Sequence, residues 1–174
     1  MSTKNASIMS RTLAFEKYTR EDFPLYKDLV SEDQIMKYIS GKGLTIKQAR
    51  KKFDSILEIN TDPVLGYFKV IDLASGLLLG DCKLVNYKKD PSLFEIGYLL
   101  RSEFWRQGLG TKICQYLLAL SDSTDNRKDV VGIIDPENIA SRQLLLKFGF
   151  QRTFIGTEDG IATEKLIRRQ AGAS

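Results

Sequence analysis

The sequence predicts a mixed α/β domain, with a mostly antiparallel sheet of about seven strands flanked by helices. Two observations lead to this class. Three consecutive strand-like segments form an antiparallel meander, and a strand–helix–strand unit follows it, which makes one central pair of strands parallel. We expect this pair to splay apart. The length of 174 residues suits one domain, expected over residues 11–170 between an N-terminal segment at 1–10 and a tail at 171–174.

The first third of the chain combines one strand with three helices. The expected elements are a strand at 11–16 and helices that begin after the capping residues Thr19, Ser31 and Thr45. Serine and threonine are typical of this position because their side-chain oxygen accepts a hydrogen bond from a free helix N–H group. The third helix also carries an apolar stripe formed by Ala49, Phe53, Ile56 and Leu57.

The rest of the chain supplies the sheet and two more helices. We expect strands at 67–73, 77–87, 93–100, 129–134, 150–154 and 161–167, with helices at about 108–121 and from 136 to 148. Asp135 followed by Pro136 is typical of a helix start, and Gly149 of a helix end. The strands at 93–100 and 129–134 are the parallel pair, and ligands of such sheets bind at the carboxyl ends of parallel strands.

Composition restricts the chemistry. The chain has 26 basic and 22 acidic residues, well mixed, and no histidine. The commonest metal ligand and general base is therefore missing, so we expect no metal, with catalysis by carboxylates, hydroxyls, tyrosines, water or backbone groups. Cys82 and Cys114 are expected to be buried free thiols. The basic run at 47–52 is either a solvated helix face or an anion-binding patch.

The predicted partners follow from the same features. Without a long apolar run, an apolar leader or an aromatic-interleaved basic surface, we expect a cytoplasmic protein without membrane or nucleic-acid partners.

A glycine loop joins the strand at 93–100 to the next helix. Gly108 and Gly110 let the backbone approach a ligand closely, and the helix start offers free N–H groups to a phosphate. The neighbouring candidates are Arg106, Gln107, Leu109 and Thr111, and Lys112 adds a further donor. The alternative is that the glycines only allow close packing. The spacing fits neither a P-loop nor a Rossmann fingerprint.

Several motifs together resemble one family. The stretch WRQGLG at 105–110 resembles the acetyl-CoA pyrophosphate loop of the GNAT acyltransferase superfamily, and NIAS at 138–141 with LKFGF at 146–150 is similar to its second signature. EIGY at 95–98 and DPEN at 135–138 resemble the RimJ/RimL-like type, which acetylates ribosomal proteins. The resemblance spans about residues 11–167.

Two positions depart from the superfamily pattern. Trp105 replaces the usual Gln or Arg at the start of the loop, but tryptophan is common there in RimJ/RimL-like members. Leu145 replaces the tyrosine that protonates the leaving thiolate in many members, so that acid is not carried over.

The resemblance implies an N-acetyltransferase that transfers acetyl directly from acetyl-CoA to a primary amine in a ternary complex, as a monomer or homodimer. The acceptor is a protein N-terminus, an amino acid or a small amine such as an aminoglycoside or polyamine. Two other hypotheses are a non-catalytic acyl-CoA sensor and a structural module without a ligand.

The resemblance also implies how the cosubstrate is held. The backbone of Leu99 and Leu100 is expected to pair with the pantetheine amides like an added strand. A backbone N–H group near Tyr98 or Leu99 would polarise the thioester carbonyl. Asn138 either binds the pantetheine with its amide or caps a helix.

Three side chains are candidate catalytic groups. Glu95, expected two residues before a bulge, is the candidate base; the alternative is a carboxylate paired with lysine. Ser141 is the candidate acid for the thiolate, or else a serine bonded to solvent or backbone. Tyr98 orients substrate or donates a proton, or packs in the core. Cys114 is a poor nucleophile candidate, since it lies inside a helix without a histidine to activate it.

Overall fold

The computed structural model describes residues 10–171, and within them the chain forms a seven-stranded sheet. The strands are β1 (Leu13–Lys17), β2 (Gly66–Asp72), β3 (Leu78–Asn86), β4 (Phe94–Leu100), β5 (Val130–Ile134), β6 (Gln151–Glu158) and β7 (Ile161–Arg168). Their order is β1-β2-β3-β4-β5-β7-β6, and β4–β5 is the parallel pair among antiparallel neighbours. The expected fold class is confirmed. The predicted terminal segments lie largely outside the described residues.

Five helices flank the sheet within the described residues. They are α1 (Phe23–Val30), α2 (Asp33–Met36), α3 (Ile46–Ile59), α4 (Leu109–Asp125) and α5 (Ile139–Lys147), with 3₁₀ turns at Arg20–Asp22 and Ser102–Phe104. None of them combines the length and apolarity that crossing a membrane requires.

Two of the three predicted caps are confirmed. The Gln48 N–H group donates to Thr45 Oγ1 at 3.3 Å, and the Thr19 N–H group donates to Asp22 Oδ2 at 2.8 Å in a capping box. The prediction for Ser31 is wrong, because its hydroxyl donates back to the Asp28 carbonyl at 2.9 Å and the residue ends α1. Glu32 precedes α2 instead.

The start of α5 also differs from the prediction. Asp135 Oδ1 accepts the Glu137 N–H group at 2.8 Å, which closes a tight turn, so the helix begins at Ile139 rather than at Pro136. Asn138 is the cap. The predicted end is confirmed, since Gly149 has a φ of 84° in the left-handed region that favours glycine.

The helices form one layer on each face of the sheet. Helices α4 and α5 cover a cluster that includes Ile96 and Leu100, while α1, α2 and α3 cover a second cluster joined by Leu99. Because successive strand residues point to opposite faces, β4 contributes side chains to both layers.

The parallel pair separates early. Strands β4 and β5 pair only through Phe94–Val130, Glu95–Val131 and Ile96–Gly132. The predicted bulge in β4 is wrong, because β4 pairs with β3 in unbroken register as far as Leu100. Strand β5 instead continues beside β7, and the two parallel strands diverge. The expected splaying of the parallel pair is present, but it arises because β5 follows β7 and not because of a bulge in β4.

Candidate functional site

A cavity of about 640 Å³ opens where β4 and β5 separate. It is lined by the sheet, the start of α5, the segment after α2 and the turn between β6 and β7. Five of the sequence-predicted site residues line it: Glu95, Tyr98, Leu99, Asn138 and Ser141. The two motifs that carry them are forty residues apart in the chain and meet here because β4 and β5 are neighbours.

The candidate catalytic groups lie on opposite faces of β4. Tyr98 packs against the cluster beneath α4 and α5, whereas Leu99 packs on the side of α1 to α3. Strand alternation places Glu95 on the same face as Leu99. The cavity therefore brings a carboxylate from one face and a hydroxyl from the other to one opening between the strands.

Tyr98 and Ser141 form a hydroxyl pair beside this opening. Burial raises the pKa of Tyr98 above its usual range, and the neighbouring Ser141 hydroxyl partly offsets that rise. The phenol is therefore protonated throughout the physiological range. The two hydroxyls can donate protons, or relay one, to a group in the cavity.

Asn138 fixes the start of α5 and faces the cavity. Its Oδ1 atom accepts the Ser141 N–H group at 3.1 Å, so the capping alternative is the observed role. Within residues 10–171 the side-chain nitrogen has no hydrogen-bond partner, which leaves it for a ligand carbonyl.

An ion-pair network anchors α5 to the sheet. Glu164 on β7 is 0% exposed, and its Oε2 atom accepts Arg142 Nε at 2.8 Å. Its Oε1 atom accepts Arg152 Nε at 2.6 Å. The two guanidinium groups lower the pKa of Glu164 against an opposing effect of burial. Ser141 precedes Arg142, so the network holds the hydroxyl in register with Tyr98.

Glu95 is paired with a lysine. Lys83 Nζ donates to Glu95 Oε1 in a short ion pair, so the lysine-paired alternative describes the structure. Burial lowers the pKa of Lys83, but Tyr67 and Glu95 raise it and prevail. The lysine stem crosses Gly97, where a Cβ atom would lie 3.1 Å from Lys83 Cε. A lysine thus holds the candidate base in place.

Sequence reasoning missed the other charged groups of the cavity, which are Asp81, Lys83, Lys37 and Lys52. Asp81 is 4% exposed and its Oδ2 atom accepts the Tyr18 hydroxyl at 3.0 Å. Burial raises the pKa of Asp81 to about 6. Asp81 and Lys83 alternate with the apolar residues Cys82 and Leu84 in a central strand, and this alternation could have identified the two charged residues as part of a site. Most of the basic run at 47–52 is an exposed helix face, and Lys52 is its one basic residue in the cavity lining.

The two loop glycines play different parts. Gly108 has a φ of 75°, and a Cβ atom there would meet open space. No side chain caps α4 at this residue, so the first N–H groups of the helix are free for a ligand. At Gly110 a Cβ atom would lie 2.9 Å from Leu144 and 3.1 Å from the Tyr98 hydroxyl. Gly108 suits the phosphate alternative and Gly110 the packing alternative.

The remaining loop candidates lie outside the cavity lining. Arg106 is exposed with a φ of 60°, Gln107 donates to the Glu103 carbonyl at 3.0 Å, Thr111 is half-buried, and Leu109 and Leu100 are in the core. The Trp105 indole donates to the Leu100 carbonyl at 2.9 Å and ties the loop to the end of β4. Lys112 Nζ donates to Ser10 Oγ at 2.7 Å, so its charge is engaged away from the loop.

Cysteine and position 145 contribute no acid–base group. Cys82 and Cys114 are both free and buried, as expected, and burial raises the pKa of Cys114 to about 12. Leu145 packs against Gly132, where a Cβ atom would lie 2.7 Å from Leu145 Cδ1. Within the described range no three potential His, Cys, Asp or Glu ligands cluster around a metal-sized space.

Known proteins share this architecture. A curated relative, the uncharacterized N-acetyltransferase p20 of Bacillus licheniformis, is 23% identical over 84% of this chain and 83% of its own length. A putative GNAT-family acetyltransferase from Bordetella pertussis has a TM-score of 0.77 at 22% identity, covering 91% and 96% of the two chains. The ribosomal-protein-S5-alanine acetyltransferase from Vibrio fischeri has a TM-score of 0.74 at 14% identity, covering 93% and 95%.

The family model described as the acetyltransferase (GNAT) domain matches residues 12–151. That range spans most of the chain and contains both signatures, the parallel pair and all the cavity-lining residues except those at 160–163. The chain therefore belongs to the GNAT acetyltransferases, a family of acyltransferases with acetyl-CoA as the cosubstrate.

Proposed function

We propose that this protein transfers an acetyl group directly from acetyl-CoA to a primary amine. One observation carries the proposal: the Glu95 carboxylate and the Tyr98–Ser141 hydroxyl pair approach the same opening from opposite faces of β4. Acetyl transfer needs a base on the side of the amine and an acid on the side of the thiolate. An arrangement with one on each face meets that need without crossing the two proton routes.

The cosubstrate fits the other end of the opening. Acetyl-CoA supplies the activated acetyl thioester. The uncapped N-terminus of α4 after Gly108, with Arg106 and Thr111 nearby, suits its pyrophosphate. Beyond Ile96 and Gly132 the parallel strands no longer bond to one another. Leu93 and Arg101 bond to Tyr87 and Leu79 on the β3 side, and because bonding alternates along a strand, Leu99 also bonds to β3. The backbone of Tyr98 faces β5 instead and is available to the pantetheine amides. Gln107, Leu109 and Leu100 support the loop rather than line the cavity.

On the acceptor side, Glu95 is the proposed base. The carboxylate accepts the proton that the amine must lose before it attacks, while Lys83 keeps the carboxylate oriented. The backbone N–H group of Tyr98, which faces the gap between β4 and β5, stabilises the negative charge that develops on the carbonyl oxygen. Ser141, backed by Tyr98, then donates a proton to the departing thiolate. Asn138 contributes its side-chain nitrogen to pantetheine binding.

We further propose the RimJ/RimL-like type. The indole bond from Trp105 to the Leu100 carbonyl gives the characteristic tryptophan a structural role at the loop, and the S5-alanine acetyltransferase shares the fold. Protein N-termini, amino acids and small amines are all acceptors within this chemistry.

Release of free thiol from acetyl-CoA in the presence of an amine panel tests the proposal. We expect thiol release to depend on the amine, and to fall in Ser141→Ala and Tyr98→Phe while acetyl-CoA affinity is retained. If the protein binds acetyl-CoA but none of the amines causes thiol release, it is the non-catalytic sensor instead. A protein that does not bind acetyl-CoA would contradict both readings.

A further inference from the structure

The charged groups of the cavity are only partly paired with one another. The lining contains Lys37, Lys52, Lys83, Asp81, Glu95 and Asp135. Lys83 and Glu95 form an ion pair, and Asp135 is engaged by the Glu137 N–H group in the turn before α5. Within residues 10–171 the other three have no ion-pair partner. One carboxylate and two ammonium groups thus remain for a ligand.

Asp81 is the unusual member of this set. A buried carboxylate has room for about four hydrogen bonds, yet across the described chain Asp81 accepts one, from Tyr18. Burying a charge with so little compensation is unfavourable unless a ligand completes its shell. The charged or titratable groups around it are Tyr18, Tyr26, Tyr67, Lys52 and Lys83.

The position of Asp81 is that of an acceptor-binding group. In the β3–β4 pairing Asp81 is directly opposite Leu99, so the two side chains share one face of the sheet. Leu99 lies just beyond the point where β4 and β5 part, on the face that also carries Glu95. An ammonium group bound by Asp81 would therefore lie on the base's side of the opening.

Two lysines line the same cavity as Asp81, and the charge of one of them, Lys52, acts on Asp81. Lys52 projects from α3, and Lys37 follows α2. Burial lowers the pKa of Lys52 while the Asp81 charge raises it, so the two groups influence each other without forming an ion pair. A ligand with an amine next to a carboxylate would bridge them.

We propose that the acceptor is a free α-amino acid whose α-ammonium group binds Asp81 and whose α-carboxylate binds Lys52. This rests on the proposed function. The ammonium group gives one proton to Glu95, directly or through water, and the nitrogen–carbon bond forms as the carbon–sulfur bond breaks. Ser141 gives a proton to the thiolate, and the second proton that the nitrogen loses as the amide forms returns to Ser141. A polyamine would place extra positive charge beside two free lysines, and a protein N-terminus has no α-carboxylate for Lys52.

Calorimetry on the CoA-bound protein tests the binding step without turnover. The probes are L-amino acids, each compared with its own carboxamide, together with spermidine and a short peptide. We expect at least one amino acid to bind about tenfold or more tightly than its carboxamide. Lys52→Met should abolish the preference for the acid over the carboxamide. Asp81→Asn should weaken the affinity for the amino acid by a similar factor. In the thiol-release assay, Asp81→Asn should raise KM more than it lowers kcat.

Neighbouring variants provide matched controls. Lys51→Met and Asp54→Asn alter exposed charges of the same helix outside the cavity and should leave the ratio and the affinity unchanged. Equal binding of acid and carboxamide, or an unchanged ratio in Lys52→Met, overturns the proposal, as does the failure of every amino acid to bind. Thiol release with spermidine or the peptide but with no amino acid overturns it and leaves the proposed function standing. No thiol release with any amine overturns both.

Discussion

The two faces of β4 are built in different ways. On the face of α4 and α5, the site consists of hydroxyls, backbone and small residues, and Gly110 is packed against Tyr98. On the face of α1 to α3, it consists of charged side chains such as Asp81, Lys83 and Glu95. Backbone and close packing demand particular residues at fixed spacing, whereas charges can be supplied from many segments. The glycine loop and the NIAS motif lie on the first face, whereas on the second face only Glu95 belongs to one of the recognised motifs.

The first prediction concerns the proposed base, Glu95, and has the largest expected effect. We expect Glu95→Gln to lower kcat by about a thousandfold, the range typical of a lost general base, with unchanged acetyl-CoA affinity. Pre-steady-state acetyl transfer measures the rate of the transfer step directly. A kcat within a fewfold of wild type would show that another group takes the proton.

The second prediction concerns the anchor of the hydroxyl face. Glu164→Gln should lower the free energy of unfolding by about 3 kcal/mol, because it leaves two guanidinium groups near a buried neutral partner. The lowered pKa of Glu164 means that its contribution is present above the unfolded-state pKa and is lost as the pH falls through the folded one. Urea denaturation across acidic pH measures both.

A matched control for that experiment is Glu158→Gln, which removes a more exposed carboxylate on β6. It should change stability by less than about 1 kcal/mol. Equal losses in the two variants would contradict the anchoring role of Glu164.

The third prediction concerns the charged face. Asp81→Asn should raise the free energy of unfolding at neutral pH by about 2 kcal/mol, since the native charge is buried and its pKa is raised from 3.8 to about 6. A raised carboxyl pKa favours the folded state only while the group is protonated, so the gain should fade as the pH falls from about 6 towards 4. Denaturation at neutral and acidic pH measures the difference. A destabilised variant at neutral pH would contradict the picture of an under-compensated charge.

The smallest expected effect tests the loop. Gly108→Asp should weaken CoA binding about tenfold, because it adds a negative side chain at the helix end proposed to hold pyrophosphate and strains the positive φ. Isothermal titration with CoA measures the change, and Gly76→Asp, in a hairpin turn with a similar φ, controls for backbone strain. Unaltered affinity in Gly108→Asp would remove the loop from the binding site.

How much of the molecule the sequence could predict depends on whether a feature is local in the chain. Strand alternation and the caps at Thr19 and Thr45 are local, so most elements and the parallel pair were predictable. Ser31 was misassigned because its hydroxyl bonds back to the Asp28 carbonyl, and Pro136 because the Asp135 carboxylate accepts the Glu137 N–H group. Hydrophobic periodicity carries no information about such side-chain bonds. Asp81 and Lys52 were missed as a pair because they come from separate elements and meet only in the folded chain.

Gly97 governs how the proposed base is held. Its missing side chain leaves the passage through which Lys83 reaches Glu95, and a Cβ atom there would lie 3.1 Å from Lys83 Cε. Lys83 would have to shift by a few tenths of an ångström, which would change how its ammonium group meets the Glu95 carboxylate. The backbone of β4 thus influences the orientation of the carboxylate through a lysine on the neighbouring strand.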